Sequence, residues 1–237
     1  MDKLREAKEY LDRVCESLIN KNRFVVDKDF QTYLEKILRE NRREIAANTE
    51  FFRARNYTDQ EVDPSKLGTQ YEGYDAKNSF VNISSKWPSQ GRMNPQGITV
   101  LYLASDERTA ITELHPHVDE VFSLATIKNT KILTISDLSQ SSSAMKDDFE
   151  RSLSILIQNR LSKGNGDADY VFPQYVAAFC QSLGYDGIGF RSKYATKASI
   201  GDNTGINYTI FNYNKCSVTG SKLKKIGRIT VQISPYT

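Results

Sequence analysis

The sequence has few of the residues that build metal centres and disulfide frameworks. Its 237 residues include two histidines and three cysteines, and no CxxC pair. Protein zinc sites need clustered cysteine or histidine ligands, so we predict no metal site. The odd count of scattered cysteines, Cys15, Cys180 and Cys216, indicates reduced thiols in a cytoplasmic protein.

Long apolar runs and a strong excess of one charge are also missing. No apolar segment approaches the roughly 20 residues that span a bilayer, and the opening MDKLREAKEYL is too charged for a signal peptide. The net charge is +3, from 32 basic and 29 acidic residues. This balance permits an anionic ligand but lacks the concentrated basic face of a nucleic-acid-binding protein. We expect neither membrane nor nucleic acid as a partner.

Residues 2 to about 46 show the three- and four-residue apolar spacing of helices. A break near residue 20 predicts two helices, the second from about Asp29. Its expected buried positions are Tyr33, Ile37 and Ile45. A helical hairpin packed on the main domain is the favoured interpretation, and a partner-docking arm is the alternative.

The segment TEFFRAR, residues 49–55, alternates in the manner of a strand. It places Arg53 and Arg55 on one face, where they repel each other unless both meet anions. From this segment alone, solvated surface charges are the favoured interpretation, and an anion-facing strand is the alternative. The following residues 56–90 form a long polar loop with the aromatic anchors Tyr71, Tyr74, Phe80 and Trp87. These rings either line a pocket for a flat ligand ring or, more commonly, pack the loop.

The stretch from Gly91 to Pro116 combines a loop cation, a strand aromatic and a helix carboxylate. In GRMNPQG, a proline and two glycines favour a stiff turn that holds Arg92. A central apolar strand with Tyr102 embedded in it is predicted over Ile98–Leu103. Ser105 or Asp106 then caps a helix of about ten residues that ends near Pro116. Glu113 lies beside small residues of this helix, so its carboxylate is expected to be half-buried and to need a partner or a task.

The remaining elements are read from periodicity and turn residues. Val121–Ile127 and Ile132–Leu138 predict a strand pair joined by a short turn. Helices are predicted over residues 148–161 and 170–183, the second ending at Gly184. Further strands are predicted at Ile188–Phe190, Asn207–Phe211 and Ile226–Ile233, with Arg191 and Ser192 following the first of them.

The blocks FFRAR, GRMNPQG, LYLA, TAITE, GYDGIGFRS and NYTIF, in this order, resemble the RES domain family. The family is named for an arginine, a glutamate and a serine, and the resemblance covers about residues 49–212. We therefore divide the chain into an N-terminal helical extension (1–48), a RES domain (49–215) and a C-terminal strand or tail (216–237).

The resemblance implies an α+β fold similar to ADP-ribosyltransferases, with a split, mostly antiparallel sheet and flanking helices. It also implies an enzyme that cleaves the nicotinamide–ribose bond of NAD+ by phosphorolysis or hydrolysis, or that transfers ADP-ribose to a protein. NAD+ is then a substrate, inorganic phosphate a candidate co-substrate, and no cofactor is expected. Many such domains are toxins of bacterial toxin–antitoxin pairs, which implies a small antitoxin protein as partner. A homo-oligomer remains open.

Carried onto this sequence, the family pattern assigns seven site residues. The catalytic positions are Arg53, Glu113 and Ser192, and the substrate-binding positions are Arg55, Arg92, Tyr102 and Asn207.

The chemistry of these residue types agrees with the assignment. Cleaving a bond to a cationic pyridinium passes through an oxocarbenium-like state, and the leaving group departs neutral. The reaction needs a carboxylate near the developing charge, cations for the pyrophosphate and a ring against the nicotinamide. Glu113, the arginines and Tyr102 supply these groups. Ser192 is assigned to the ribose, and Arg55 to an anionic acceptor such as phosphate.

The sequence has no GxGxxG fingerprint, which favours NAD+ as a substrate over a redox cofactor. A non-enzymatic module, with structural charges and a partner bound by the N-terminal helices, is the remaining alternative.

Overall fold

The structure, a computed structural model, describes residues 3–24, 26–57, 63–80, 88–139, 148–158, 170–195 and 204–229. Its α-helices are α1 (Lys3–Asn20), α2 (Lys28–Glu40), α3 (Ala76–Ser79), α4 (Glu107–Thr112), α5 (Asp148–Gln158) and α6 (Val171–Ser182). Its strands are β1 (Arg42–Ile45), β2 (Glu50–Asn56), β3 (Leu101–Ala104), β4 (Val121–Asn129), β5 (Leu133–Leu138), β6 (Gly187–Arg191), β7 (Ile206–Ile210) and β8 (Cys216–Lys225). Short 3-10 helices occupy Pro64–Lys66 and Tyr213–Lys215.

The strands of the described residues form one sheet in the order β1-β5-β6-β7-β3-β2-β4-β8. All neighbours are antiparallel except β5 and β6. β2 and β3 pair only at Phe52 and Ala104, so the sheet splits beyond this point. The predicted α+β class, with N-terminal helices and a split, mostly antiparallel sheet, is confirmed.

The two halves of the sheet fold over one another. Short connections join β1 to β2 and β4 to β5, although these strands lie far apart in the sheet order. One apolar core therefore draws on both halves, and its members include Ile45, Phe51, Leu103, Ile127, Leu133, Ile135 and Tyr208. A second core joins the helices to the β5–β6 side, with Leu11, Phe30, Leu34, Leu138, Leu153, Val176 and Ile188. α1 and α2 thus pack against α5 and α6, as the helical-hairpin interpretation favoured.

The second predicted helix was extended too far. It ends at Glu40 because Asn41 caps it, with the backbone N–H and Nδ2 of Asn41 both donating to Ile37 O. The next residues pair with β5 as β1. Only Ile45 of this edge strand is buried, so it shows no strand-like alternation. Ile37 is buried as expected, whereas Tyr33 is 50% exposed and packs its ring against Phe149 at the surface.

The predicted pairing of the strands on either side of residues 128–130 is wrong. β4 pairs with β2 and β8, and β5 pairs with β1 and β6. The short link resembles a hairpin turn but crosses from one half of the sheet to the other. Asn129, fully buried, holds this crossing because its Nδ2 donates to Ala46 O and Lys131 O.

Two other boundaries also differ. The last described strand is β8, and residues 226–229 of the predicted strand Ile226–Ile233 are not in a strand. β8 was missed because its lysines obscure the apolar pattern by which a strand is recognised. It is the edge strand of the sheet, and edge strands often carry charges.

The helix before Pro116 has six residues rather than about ten, and Glu113 is its C-cap. Residues 230–233, Trp87 and the end of the predicted helix 148–161 lie outside the described residues.

Candidate functional site

A cleft opens where β2 diverges from β3. Its cavity volume is about 530 Å³, within the range of roughly 300–1,000 Å³ found for small-molecule sites. Six of the seven predicted site residues line it: Arg53, Arg55, Arg92, Tyr102, Glu113 and Asn207. Segments distant in the sequence thus meet at one cavity. Ser192 lies behind Glu113 rather than in the cleft wall.

The Glu113 carboxylate is held from one side. Ser192 Oγ and Asn207 Nδ2 both donate to Glu113 Oε1, each at 2.6 Å. No described residue donates a hydrogen bond to the second oxygen, Oε2. The two hydrogen bonds therefore fix the Glu113 carboxylate. Because Glu113 lines the cleft, its Oε2 is available to accept from a ligand.

Ser192 is a positioning group for this carboxylate. It is 3% exposed, and its backbone N–H donates to Gly205 O at 2.8 Å. Its hydroxyl also accepts from Tyr194 N at 3.1 Å. The sequence placed Ser192 on the substrate ribose, but the structure commits its hydroxyl proton to Glu113.

The start of α4 is tied to the strand that carries Asn207. The N-cap carboxylate of Asp106 accepts from Thr109 N at 2.8 Å and from Gly205 N at 2.9 Å. Burial alone would raise the pKa of Asp106, but these hydrogen bonds outweigh it and hold the pKa below its usual value. α4 is thereby fixed relative to β7, and Glu113 relative to Asn207.

Arg53 brings a partly unsatisfied cation to the cleft. Its Nη1 donates to Tyr102 O at 3.2 Å, while its buried Nε has no hydrogen-bond partner among the described residues. Burial, and then the neighbouring Arg55 charge, lowers the pKa of Arg53 to about 10. In the described part of the chain, no carboxylate forms a salt bridge with Arg53 or Arg55. The interpretation of both as solvated surface charges is wrong, since both are half-buried in the cleft wall.

The loop that carries Arg92 is built around Asn94 and Tyr102. Asn94 is 4% exposed, and its Nδ2 donates to three carbonyls of its own loop. Tyr102 Oη donates to Asn94 Oδ1 at 2.7 Å and accepts from Met93 N at 2.9 Å. Burial raises the pKa of Tyr102 to about 12, so this hydroxyl remains a donor at neutral pH.

Two helices hold the same loop from outside. Gln174 Nε2 on α6 donates to Gly91 O at 2.9 Å and to Asn94 O at 3.1 Å. Arg92 Nη1 donates to Ile157 O, in the last described turn of α5, at 3.2 Å. A cation is favourable at a helix C-terminus. The guanidinium of Arg92 is therefore set in the cleft wall by several elements.

We predict that Gly91→Ala destabilises this loop. A Cβ at Gly91 would lie 2.6 Å from Tyr102 Oη and 2.7 Å from Asn94 Oδ1, and would break their hydrogen bond. Overpacking of this kind costs about 1–3 kcal/mol, measurable as a lower free energy of unfolding in urea. Gly227→Ala is the matched control, since its Cβ would meet nothing within 4 Å. Equal stability of the two variants would contradict this account of the loop.

Sequence reasoning missed several residues of the site. Phe52, Tyr170 and Phe190 line the cleft, and Gln174 holds the loop. Asn94 stands inside the GRMNPQG block, so its position was visible although its role was not. Tyr170 and Gln174 were recognised only as the start of a helix, and no local signal links that helix to residues about 80 positions earlier.

Among the described residues, no group of three or more His, Cys, Asp or Glu side chains is placed to hold a metal ion. None of the helices in that part of the chain has the length and apolar character needed to cross a bilayer.

Comparisons with known proteins bear on the family. No curated protein sequence matches the chain significantly. A solved structure, that of the M. tuberculosis MbcT–MbcA toxin–antitoxin complex, contains a similar chain, with 14% identity and a TM-score of 0.47 over 84% of this chain and 93% of the other. The model of the RES domain matches residues 69–230, a segment that begins after Arg53 and Arg55. This match spans more than half of the sequence, and the chain belongs to the RES domain family.

Proposed function

We propose that this chain cleaves the nicotinamide–ribose bond of NAD+ and acts as the toxin of a toxin–antitoxin pair, as its resemblance to RES toxins implies. The observation that carries the chemical part is the meeting of Arg53, Arg92 and Glu113 at one cavity of about 530 Å³. That cavity offers cations for a pyrophosphate and one carboxylate for the reacting ribose. The proposed domain is residues 49–215, with NAD+ and a small antitoxin protein as partners.

The charge arrangement suits a dinucleotide. Arg53 has N–H groups without a carboxylate partner among the described residues, and a buried cation of this kind is stabilised by an anionic ligand. Guanidinium groups bind phosphate oxygens in a bidentate manner. We assign Arg53 and Arg92 to the pyrophosphate, whose position then orients the rest of the substrate.

Glu113 acts on the nicotinamide ribose. As the bond to nicotinamide breaks, positive charge develops on the ribose, and a fixed carboxylate stabilises it. The leaving nicotinamide takes the bonding electron pair and becomes neutral, so no general acid is needed. Oε1 of Glu113 is held by Ser192 and Asn207, which leaves Oε2 for the ribose.

Aromatic side chains provide the surface for the nicotinamide. The ring of Tyr102 lines the cleft while its hydroxyl is held by the loop, so the ring cannot turn away. Phe190 and Tyr170 also line the cleft. We assign nicotinamide stacking to Tyr102, supported by these two rings.

The acceptor is decided by product analysis. Purified protein is incubated with NAD+ with and without inorganic phosphate, and products are separated by chromatography. Free nicotinamide with phosphorylated ADP-ribose indicates phosphorolysis, and free ADP-ribose indicates hydrolysis. A third incubation uses labelled NAD+ and cell extract, where label on a protein indicates ADP-ribosyl transfer. Unchanged NAD+ under all three conditions would contradict the proposal and favour a non-enzymatic module.

We predict that Ser192→Ala lowers kcat about 10–100-fold and leaves KM for NAD+ within a factor of two. The variant loses one of the two hydrogen bonds that orient Glu113, while the pyrophosphate contacts remain. Steady-state kinetics separate these two constants. Ser154→Ala is the control, because that buried hydroxyl donates to Leu138 O away from the cleft. A rise in KM with unchanged kcat would instead place Ser192 on the substrate.

A further inference from the structure

The cleft has a direction that follows from the strand register. Asn207, which binds Glu113, pairs with Ala104, and Ala104 pairs with Phe52. Glu113 therefore marks the closed end, where β2 and β3 still touch. From Phe52, β2 continues to Asn56, four residues and about 13 Å further at roughly 3.3 Å per residue. All residues of this stretch line the cleft.

At the far end of this stretch, Arg55 lies on an aromatic ring. Its guanidinium carbon is 5.2 Å from the centroid of the Tyr74 ring, and its Nη1 donates to Asn78 O. The Tyr74 hydroxyl donates to Asn56 O at 3.0 Å, and the ring packs against Tyr57 with centroids 5.2 Å apart. The Arg55–Tyr74 stack is therefore fixed on several sides.

This arrangement differs from that of an anion-binding arginine. The sequence assigned Arg55 to an anionic acceptor, but part of its donor edge is committed to a backbone carbonyl and one face of its plane is covered by Tyr74. A planar guanidinium stacks well on flat rings, and nucleic-acid bases are commonly recognised by stacking on aromatic rings and on arginine planes.

We propose that the Arg55–Tyr74 stack is the subsite for the adenine ring of the substrate. This inference rests on the proposed function and adds the source of its specificity for a dinucleotide. The nicotinamide ribose lies at Glu113, the pyrophosphate at Arg53 in the middle of β2, and the purine at the open end. Tyr74 acts by holding the guanidinium plane and needs no direct contact with the reacting bond.

The test compares NAD+ with nicotinamide mononucleotide, which has the same scissile bond but no adenine. Base stacking on protein side chains is worth about 1–3 kcal/mol, so we expect Tyr74→Leu to raise KM for NAD+ about tenfold. Its kcat for NAD+ and its KM for the mononucleotide should stay unchanged. Tyr74→Phe, which keeps the ring, should behave like the wild type. Tyr71→Leu, in the same loop but directed to Val218 O on β8, is the matched control.

Adenosine monophosphate binding, measured by calorimetry, gives a readout that needs no turnover. We expect the wild type to bind this nucleotide and Tyr74→Leu to bind it about tenfold more weakly. Equal affinities, or equal KM changes for NAD+ and the mononucleotide, would overturn the subsite even if the enzyme cleaves NAD+. Loss of all turnover with intact, Tyr74-dependent nucleotide binding would instead overturn the proposed reaction and keep the subsite.

Discussion

Glu113→Gln is expected to reduce NAD+ cleavage about 10³-fold without disturbing the fold. The substitution keeps the shape of the side chain, and Ser192 Oγ can still donate to its amide oxygen. It removes the negative charge that stabilises the developing cation, and preorganised electrostatic groups of this kind are worth about 10²–10³ in rate. Release of nicotinamide, followed by chromatography, measures the effect.

Glu107→Gln is the matched control for this experiment. Glu107 lies on the same short helix α4, is exposed and pairs with Lys224 outside the cleft. Its variant should cleave NAD+ at the wild-type rate. In a bacterial host, expression of the wild type and of Glu107→Gln should stop growth and deplete NAD+, and Glu113→Gln should do neither. Growth arrest by Glu113→Gln would contradict the link between the carboxylate and toxicity.

Arg53→Met should weaken NAD+ binding about 50-fold and at the same time stabilise the protein. Loss of a charge-assisted hydrogen bond to phosphate accounts for about 1.5–3 kcal/mol of binding. Stability should rise because the free protein carries a buried cation whose Nε has no partner among the described residues. The pKa of Arg53, lowered to about 10, corresponds to a penalty on the order of 3 kcal/mol at neutral pH.

The net stabilisation is smaller than this penalty because the hydrogen bond to Tyr102 O is also lost. A gain of about 1–2 kcal/mol corresponds to a Tm increase of about 2–8 °C for a chain of this size. Scanning calorimetry measures the shift, and Arg108→Met, an exposed position on α4, should change neither Tm nor NAD+ affinity. A stabilised variant with full NAD+ affinity, or a destabilised one, would contradict this role for Arg53.

The stability gain expected for Arg53→Met depends on pH in a defined direction. Folding lowers the pKa of Arg53 from its ordinary value to about 10, so the folded state gives up this proton first as pH rises. The penalty is present in full below about pH 10 and is relieved as pH rises from there toward the ordinary pKa of arginine. The stability difference between the wild type and Arg53→Met should therefore be constant at neutral pH.

Three residues of the cleft could be predicted from sequence because each belongs to a block with its own local signal. Arg92 stands in a glycine- and proline-bounded turn, Tyr102 in a short apolar strand and Glu113 beside small helix residues. These local patterns fix the order of elements along the chain. Through its resemblance to the RES family, the order of these blocks predicts that they share one site.

The contacts between these blocks could not be predicted in the same way. The bonds from Ser192 and Asn207 to Glu113 join residues 79 and 94 positions apart, and no spacing rule relates them. No spacing rule relates Gln174 to the loop that carries Arg92 either, although Gln174 Nε2 donates to two carbonyls of that loop. The link between β4 and β5 has the length of a hairpin turn, yet its strands enter opposite halves of the sheet. A hydrogen bond from Asn129 Nδ2 to Ala46 O, 83 positions away, holds this crossing.

The central claim is that one cleft holds a whole NAD+ molecule with its scissile bond at Glu113. A crystal structure of Glu113→Gln soaked with NAD+ tests it most directly. We expect the nicotinamide ribose beside residue 113, the pyrophosphate between Arg53 and Arg92, and the nicotinamide against Tyr102. A dinucleotide bound elsewhere, or bound here with its pyrophosphate away from both arginines, would contradict the account.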